Sequence, residues 1–348
     1  MYFTSLPDHT KPGFDEQVHF GNFKKHNMIF NALSSGVHCD HHVGCLSLKT
    51  VLRGEEWYGV NHRHLAIRPG QFLILNDDQT YSCRIDPQQE RVRTLSVFFK
   101  KEFAASALHD ALHGEETLLD DPFRRSDQTL EFFQTLHTLD ATLKGQLTQL
   151  LTSLEREGYD DGWVDEHLML LLHYLIKVHQ SDARNTADVK AIKSSTRTEI
   201  YKRLCVAKDL LHTYYRDKPD LNLISTAACV SVPQLIRQFK AVFHTTPHQY
   251  LVRIRLQRAE ELLRRTDKSI YEITWECGFE DTSAFCRAFK SAYGLQPGRL
   301  RKFGLQELIK PEKPGNLVTE FLKNPQFFSF VRDDGENAFR RTETIPWH

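Results

Sequence analysis

Ile273-Thr274-Trp275-Glu276-Cys277-Gly278-Phe279-Glu280-Asp281 runs directly into Thr282-Ser283-Ala284-Phe285-Cys286-Arg287-Ala288-Phe289-Lys290, and this stretch decides the C-terminal half. Just before it, Ser269 with Glu272 reads as a capping box, and Ile270 with Ile273 starts an apolar helical stripe. Gly278 permits a tight turn, Asp281 caps a second helix, and Phe285 and Phe289 give that helix its inward side. The stretch is a helix, a turn and a helix.

The same device is written earlier in the chain. Leu235, Arg237, Phe239, Lys240, Phe243 and Pro247 return as Phe285, Arg287, Phe289, Lys290, Tyr293 and Pro297, each 50 residues later. Recurrence of apolar, basic and proline positions at one offset marks a duplicated structural unit. In the earlier copy Leu221 and Ile224 begin the stripe and Cys229-Val230-Ser231 supplies the turn. Ser231 then N-caps a helix carrying Leu235, Phe239 and Val242. Leu221 to Ile270 and Cys229 to Gly278 differ by 49, so the second turn is one residue longer. Between the copies, Thr246-Pro247 starts a long helix with Leu251, Ile254, Ala259 and Leu262 on one side. Two helix-turn-helix units separated by a spacer helix are expected.

Because the apolar residues of each second helix must face inward, Pro233, Gln234, Arg237 and Lys240 are left outside in one unit, and Thr282, Ser283, Arg287 and Lys290 in the other. Arg offers a two-pronged donor for guanine, Gln suits adenine, and small hydroxyls serve either. A single exposed Arg is usually a solvated charge, but the pairing favours base contact. Charge is divided in the same sense. Residues 197 to 303 hold 19 Lys plus Arg against 11 Asp plus Glu, while the rest of the chain holds 26 against 34. A zero total therefore hides a basic module joined to an acidic one, and a basic helical module attracts phosphate. Lys208, Lys240, Arg253, Arg255, Lys290 and Lys302 are the candidate phosphate contacts.

With Ile224-Ser225-Thr226-Ala227-Ala228-Cys229-Val230-Ser231, Leu235-Ile236-Arg237-Gln238-Phe239-Lys240 and Tyr293-Gly294-Leu295-Gln296-Pro297 added to the opening stretch, residues 197–303 resemble the DNA-binding domain of the AraC/XylS family of bacterial transcription regulators. The resemblance implies that Val232 to Lys240 and Thr282 to Lys290 are recognition helices entering successive major grooves of double-stranded DNA. It also implies RNA polymerase as a partner and a homodimer. Thr274 stands where the family usually has a small Ala, and Pro233 lies in the first helical turn, where a missing N–H is tolerated.

The chain's 348 residues accommodate two separate cores. The first half shows short alternating runs at Val43 to Leu52, Trp57 to Ile67, Phe72 to Leu75, Tyr81 to Ile85 and Val92 to Phe99, with turn signals at Arg53-Gly54 and Pro69-Gly70. This points to a small antiparallel barrel or sandwich over about 20–105. Ile67-Arg68-Pro69-Gly70-Gln71-Phe72-Leu73-Ile74-Leu75 resembles the strand-turn-strand of the cupin-like sensory domain common in the same family. The fold class expected is α+β in two domains, a cupin-like β-barrel followed by helices and then an all-α domain with two helix-turn-helix motifs.

Over 126–180, Leu136, Leu143, Leu147, Leu150 and Leu154 recur at helical spacing, Gly158 to Gly162 interrupts, and Leu168, Leu171, Leu172, Leu175 and Ile176 form a second stripe. The helices expected there either cover the barrel or, as the resemblance adds, contribute a dimer contact. Residues 1–180 thus read as a sensory and dimerisation domain and 181–196, polar and interrupted, as a linker. Residues 304–348 extend past the family-like domain and carry Phe321, Phe327, Phe328, Phe330, Phe339 and Trp347, too many aromatics for a solvated tail.

Seven scattered cysteines read as reduced. No apolar run has membrane length and Met1 to Thr10 lacks a signal pattern, so a cytoplasmic protein without membrane contact is expected. Arg53, Trp57, Tyr58 and Tyr81 are the candidates to hold a small-molecule effector, with at most one of the adjacent Trp57 and Tyr58 pointing inward. His38-Cys39-Asp40-His41-His42, and His62 with His64 on one strand face, invite a metal reading. Against it, neighbours on a strand point to opposite faces and no matching downstream carboxylate is evident. No metal or other cofactor is therefore expected, nor a nucleophile-base arrangement or phosphate-binding Gly loop. The reading is a DNA-binding transcription regulator under a small-molecule effector, whether activator or repressor. The alternatives are a cupin-type metalloenzyme fused to a DNA-binding module and a ligand-independent DNA-binding regulator.

Overall fold

Turns decide where the N-terminal strands stop. The backbone is left-handed at Gly54, at Asn61 and His62, at Gly70 and at Asp78, and each point ends or begins a strand. At Gly54 a Cβ would also lie 2.8 Å from Val92. The computed structural model describes residues 1–7, 15–87, 91–112, 131–217 and 219–302, so the extension 304–348 lies outside the described residues.

In chain order the N-terminal elements are β1 (Tyr2–Phe3), α1 (Glu16–Lys25), β2 (Met28–Ser34), β3 (Val37–Gly44), β4 (Ser47–Arg53), β5 (Glu56–Val60), β6 (Arg63–Ile67), β7 (Gln71–Leu75), β8 (Gln79–Ile85), β9 (Val92–Phe98), α2 (Lys101–Leu112) and β10 (Leu136–Thr138). They form a six-stranded sheet in the order β1-β2-β9-β4-β7-β10 and a four-stranded sheet in the order β3-β8-β5-β6. Helices α3 (Ala141–Glu157) and α4 (Asp161–Asn185) follow. Their stripes of Leu143, Leu147, Leu150, Leu168 and Leu172 pack on Ile29, Leu48, Phe72, Ile74, Leu95 and Val97 of the six-stranded sheet. The opposite face of that sheet gives Val51, Leu73, Leu75 and Val92 to a second core shared with Tyr58, Val60, Leu65, Tyr81 and Ile85 of the four-stranded sheet. The six-stranded sheet is thus covered on both faces.

The C-terminal elements are all helical: α5 (Ser194–Thr213), α6 (Leu221–Ala227), α7 (Val232–Phe243), α8 (Pro247–Arg265), α9 (Ile270–Glu276) and α10 (Thr282–Tyr293). The α+β class, a sheet-rich N-terminal half followed by a helical half with two helix-turn-helix motifs, is as the sequence implies. No helix among the described residues is long and apolar enough to cross a membrane.

Several boundaries differ from expectation. The run 43–52 is two strands with a break at Cys45-Leu46. Leu136, counted with a helical stripe over 126–180, belongs to β10 and pairs with Leu73 of β7, because three residues of strand are too short to show a period. The linker expected over 181–196 is mostly helical: α4 runs to Asn185, a 3₁₀ turn covers Thr186–Asp188, and α5 begins at Ser194. Its polar residues lie on helix ends, which composition alone reads as a connection.

The expected boundary between domains moves too. Contacts gather the chain into one unit of Met1–Tyr215 with Pro219–Leu251 and a second of Arg216–Lys218 with Val252–His348. The first helix-turn-helix motif is therefore grouped with the sheets. In the second unit Leu256, Ala259, Leu262, Leu263, Ile273, Cys277, Phe285, Phe289 and Leu300 form the core.

Candidate nucleic-acid interface

The duplication is visible in the backbone. Helix α6 ends where Cys229 takes φ 51°, and α9 ends where Gly278, 49 residues on, takes φ 80°. The two ends share one hydrogen-bond pattern. Cys229 N donates to the Thr226 carbonyl and Val230 N to that of Ser225, while Gly278 N donates to Trp275 and Phe279 N to Thr274. The later helices end alike, with His244 at φ 58° after α7 and Gly294 at φ 72° after α10.

Each second helix has one side turned inward. In α7, Leu235, Gln238, Phe239 and Val242 are buried, and Phe239 packs against Phe243 and Tyr250. In α10, Phe285 and Phe289 are buried, with Phe285 packing against Phe279 and Phe289 against Tyr293. Arg237, Lys240, Ser283, Arg287 and Lys290 are left exposed, with Gln234 and Thr282 half-buried. The starts differ. Asp281 accepts from the backbone N–H groups of Ser283 and Ala284, and those bonds hold its carboxyl below the usual range. Ser231 occupies the capping position of α7 without a side-chain bond. The capping box of Ser269 and Glu272 on α9 forms as its spacing implies.

Two expected phosphate contacts are corrected. Lys208 is buried in α5, with its Nζ 5.8 Å from the Phe243 ring centroid, because its position falls on the inward stripe of a helix covered by α7. Arg255 is half-buried and donates to the Asp217 carbonyl at 2.6 Å. Lys240, Arg253, Lys290 and Lys302 are exposed.

The four effector candidates separate. Tyr58 and Tyr81 point into the core between the sheets, their rings 6.0 Å apart, and burial raises both hydroxyls well above their ordinary range. Trp57 points the other way and donates to Glu55 at 2.9 Å. Arg53 is exposed at the end of β4. The interior also holds two charged residues that alternation concealed, Lys49 and Glu56. Leu48 and Leu52 make the other face of β4 the apolar one, so Lys49 reads as solvated until the second sheet covers it.

Neither histidine group is assembled as a metal site. His62 is in the left-handed turn between β5 and β6, so it does not share a strand face with His64. His38 bonds Asp40 at 2.9 Å on the surface, a bulge follows Cys39, and His42 is buried beside Tyr81. Among the described residues no three His, Cys, Asp or Glu side chains are placed to hold a metal.

A feature not readable in the sequence joins the sheets to the helices. Arg68, at the Pro69-Gly70 turn, donates to the His212 carbonyl at 2.8 Å and the Thr213 carbonyl at 3.0 Å, at the C-terminal end of α5, and its Nε bonds Glu55. Its guanidinium stacks over Tyr215. Gln71 reaches the His212 ring at 2.8 Å, and the far ring nitrogen reaches the Tyr250 hydroxyl on α8 at 2.9 Å. One turn back, Asp209 is fully enclosed. It bonds Arg63 at 3.2 Å, the Thr135 hydroxyl at 2.7 Å and the Leu136 N–H at 2.9 Å. A guanidinium at a helix C-terminus meets orphan carbonyls and the negative end of the helix dipole.

Comparison with known proteins agrees with this geometry. The family described as "Helix-turn-helix domain" matches residues 224–302. The chain is 37% identical over 95 residues to the HTH-type transcriptional regulator MtrA of Neisseria gonorrhoeae, covering 26% of this chain and 32% of that protein. It is 26% identical over 186 residues to the probable transcriptional regulator LumQ of Photobacterium leiognathi, covering 52% of this chain and 68% of that one. With the HTH-type transcriptional activator RhaS of Escherichia fergusonii it aligns over 55% of the relative, so the chain spans only part of the relatives it matches. A solved AraC-type regulator from Chromobacterium violaceum is 28% identical over 35% of this chain and all of that one, with a TM-score of 0.30. Residues 224–302 thus carry a helix-turn-helix domain of the AraC type, similar to that of these transcription regulators.

Proposed function

We propose that this chain is a sequence-specific DNA-binding transcription regulator whose N-terminal half takes a small-molecule effector and passes its state to the first helix-turn-helix unit. The observation that carries the reading is the repeated exposed flank of α7 and α10, where Arg237 and Arg287 stand at equivalent places beside Lys240 and Lys290. A guanidinium on an exposed helix flank suits guanine in the major groove, and the lysines suit phosphate. The Arg68 clasp supports the coupling, because it ties the sheets to the helix that carries the first unit. Tyr58 and Tyr81 support an effector within the sheets, since they are aromatic, polar-tipped and turned inward. On the family's pattern the reading extends to a homodimer, with α3 and α4 as the dimer helices, and to contact with RNA polymerase.

Selection of bound sequences from a random DNA pool tests it. Arg287→Ala is expected to cost about 1–3 kcal/mol at the preferred site and to relax one base position, and Arg237→Ala to do the same at another position. Uniform weakening over unrelated sequences would turn either residue into a phosphate contact. Enrichment of no sequence by the intact chain would end the regulator reading.

A further inference from the structure

Helix α9 turns Ile273 and Cys277 into the core of its unit, so Tyr271 and Trp275, one turn apart, face the other way. They are 63% and 50% exposed, and their rings meet edge to face with centroids 5.9 Å apart. Single exposed apolar side chains are ordinary, but a pair of large aromatics packed together on an open helix face is a surface that another segment covers. The duplication supplies a comparison. At the 49-residue offset the first copy has Asn222 and Thr226, both polar and exposed, so the helix-turn-helix device does not itself require aromatics there.

What differs between the copies is the chain that follows. The Arg301 guanidinium donates to the Lys268 carbonyl, just ahead of α9, so the chain leaves the second unit beside the aromatic pair. From Lys268 to Trp275 the backbone covers roughly 10 Å, whereas the 18 residues 303–320 span roughly 25 Å whether coiled or helical. Residues 321–332 are therefore within reach. They hold Phe321, Leu322, Phe327, Phe328 and Phe330 together with Lys323 and Arg332, and no acid. The carboxylates beside the pair are Glu272, which accepts from the Ser269 N–H, and Glu276, which is bonded to Lys268. An acidic rim around two aromatic rings suits a basic, Phe-rich segment and disfavours DNA phosphate. We propose that residues 321–332 dock on the Tyr271 and Trp275 face of α9 in the same chain, which makes the extension a cover for the second helix-turn-helix unit. A tethered segment acts at an effective concentration on the order of millimolar, so it takes this face ahead of a second copy or another protein.

Hydroxyl-radical footprinting read by mass spectrometry compares the full chain with one ending at Phe303. Removal of the extension is expected to raise labelling of Tyr271 and Trp275 by at least about threefold, as for a tethered segment present severalfold above its dissociation constant, and to leave Trp57 unchanged. Phe327→Ser, Phe328→Ser and Phe330→Ser combined in one full-length variant should give the same gain with the length kept. Circular dichroism establishes that both fold, and if the shortened chain does not, the serine variant carries the comparison. Equal labelling of the pair with and without the aromatics overturns the proposal. A second measurement identifies the occupant. Benzoylphenylalanine placed at position 271 of the full chain should crosslink to residues 321–332, and heavy and light chains mixed together should yield only unmixed isotope pairs. Mixed pairs would assign the face to a second copy, and a crosslink to another protein or to another part of the chain would assign it elsewhere; each of these overturns the proposal.

Discussion

Two residues hold a backbone shape that their neighbours in the duplicate leave to glycine. Cys229 and His244 have φ of 51° and 58°, and the equivalent positions are Gly278 and Gly294. For an L-residue the left-handed region costs on the order of 1 kcal/mol. Cys229→Gly and His244→Gly are therefore each expected to raise stability by a few tenths to about 1 kcal/mol, less the added freedom of glycine in the unfolded chain. Urea unfolding of the first unit checks this, and a loss of stability would mean that the thiol or imidazole makes contacts outweighing the strain. Glu56 gives the residue scale a pH signature. Burial pushes its carboxyl from 4.5 to about 7, so the folded chain keeps a proton that the unfolded chain releases. The stability associated with that proton is full below about pH 4.5 and is lost as pH rises toward 7, by on the order of 3 kcal/mol. Lys49, lowered from 10.5 to about 8, acts in a separate window, its contribution being full above 10.5 and lost as pH falls through 8. Glu56→Gln should flatten unfolding free energy between pH 5 and 7. An unchanged slope would assign the dependence to another group.

Among elements, the second helices of the two helix-turn-helix units are unequal at their starts. Asp281 makes two bonds to backbone N–H groups and Ser231 makes none. Asp281→Ala is expected to lower the melting temperature, as for loss of a working cap, and Ser231→Ala to leave it close to unchanged; thermal melts of the two variants decide it. Both helices were legible in sequence because a repeat supplies its own control. A Phe, Arg and Lys pattern that recurs with its turn and its proline is a claim made twice. The sheets were legible only in part. Strands bounded by Pro-Gly or Arg-Gly stood out, whereas β10 is three residues long and takes its structure from β7. In the candidate site, exposed Arg237 and Arg287 followed from which side had to be apolar. Lys49 and Glu56 did not, since nothing local announces that a second sheet covers them. Arg68 was hidden for a related reason: its partners on α5 lie about 145 residues away, beyond the reach of any periodicity.

For the whole molecule, the clasp is the contact with most at stake. Arg68→Ala strips Glu55 of its charged partner, leaving only the Trp57 indole, and leaves two helix-end carbonyls without their donor. Removal of one member of such a buried pair costs roughly 3–5 kcal/mol. Faster hydrogen exchange is expected at the C-terminal turns of α5, and protection equal to the wild type would show that the rest of the interface suffices. The clasp also has a meaning for the message the protein reads. Arg68, α5 and α7 belong to one unit, whereas α10 belongs to the other. A signal carried through α5 therefore acts first on one half of the vocabulary. On the proposed function, bases chosen by α7 should change in preference when an effector binds, while those chosen by α10 keep theirs. Comparing the sequence logos of bound DNA with and without effector would reveal a regulator that alters which word it recognises, as well as how tightly it holds the page.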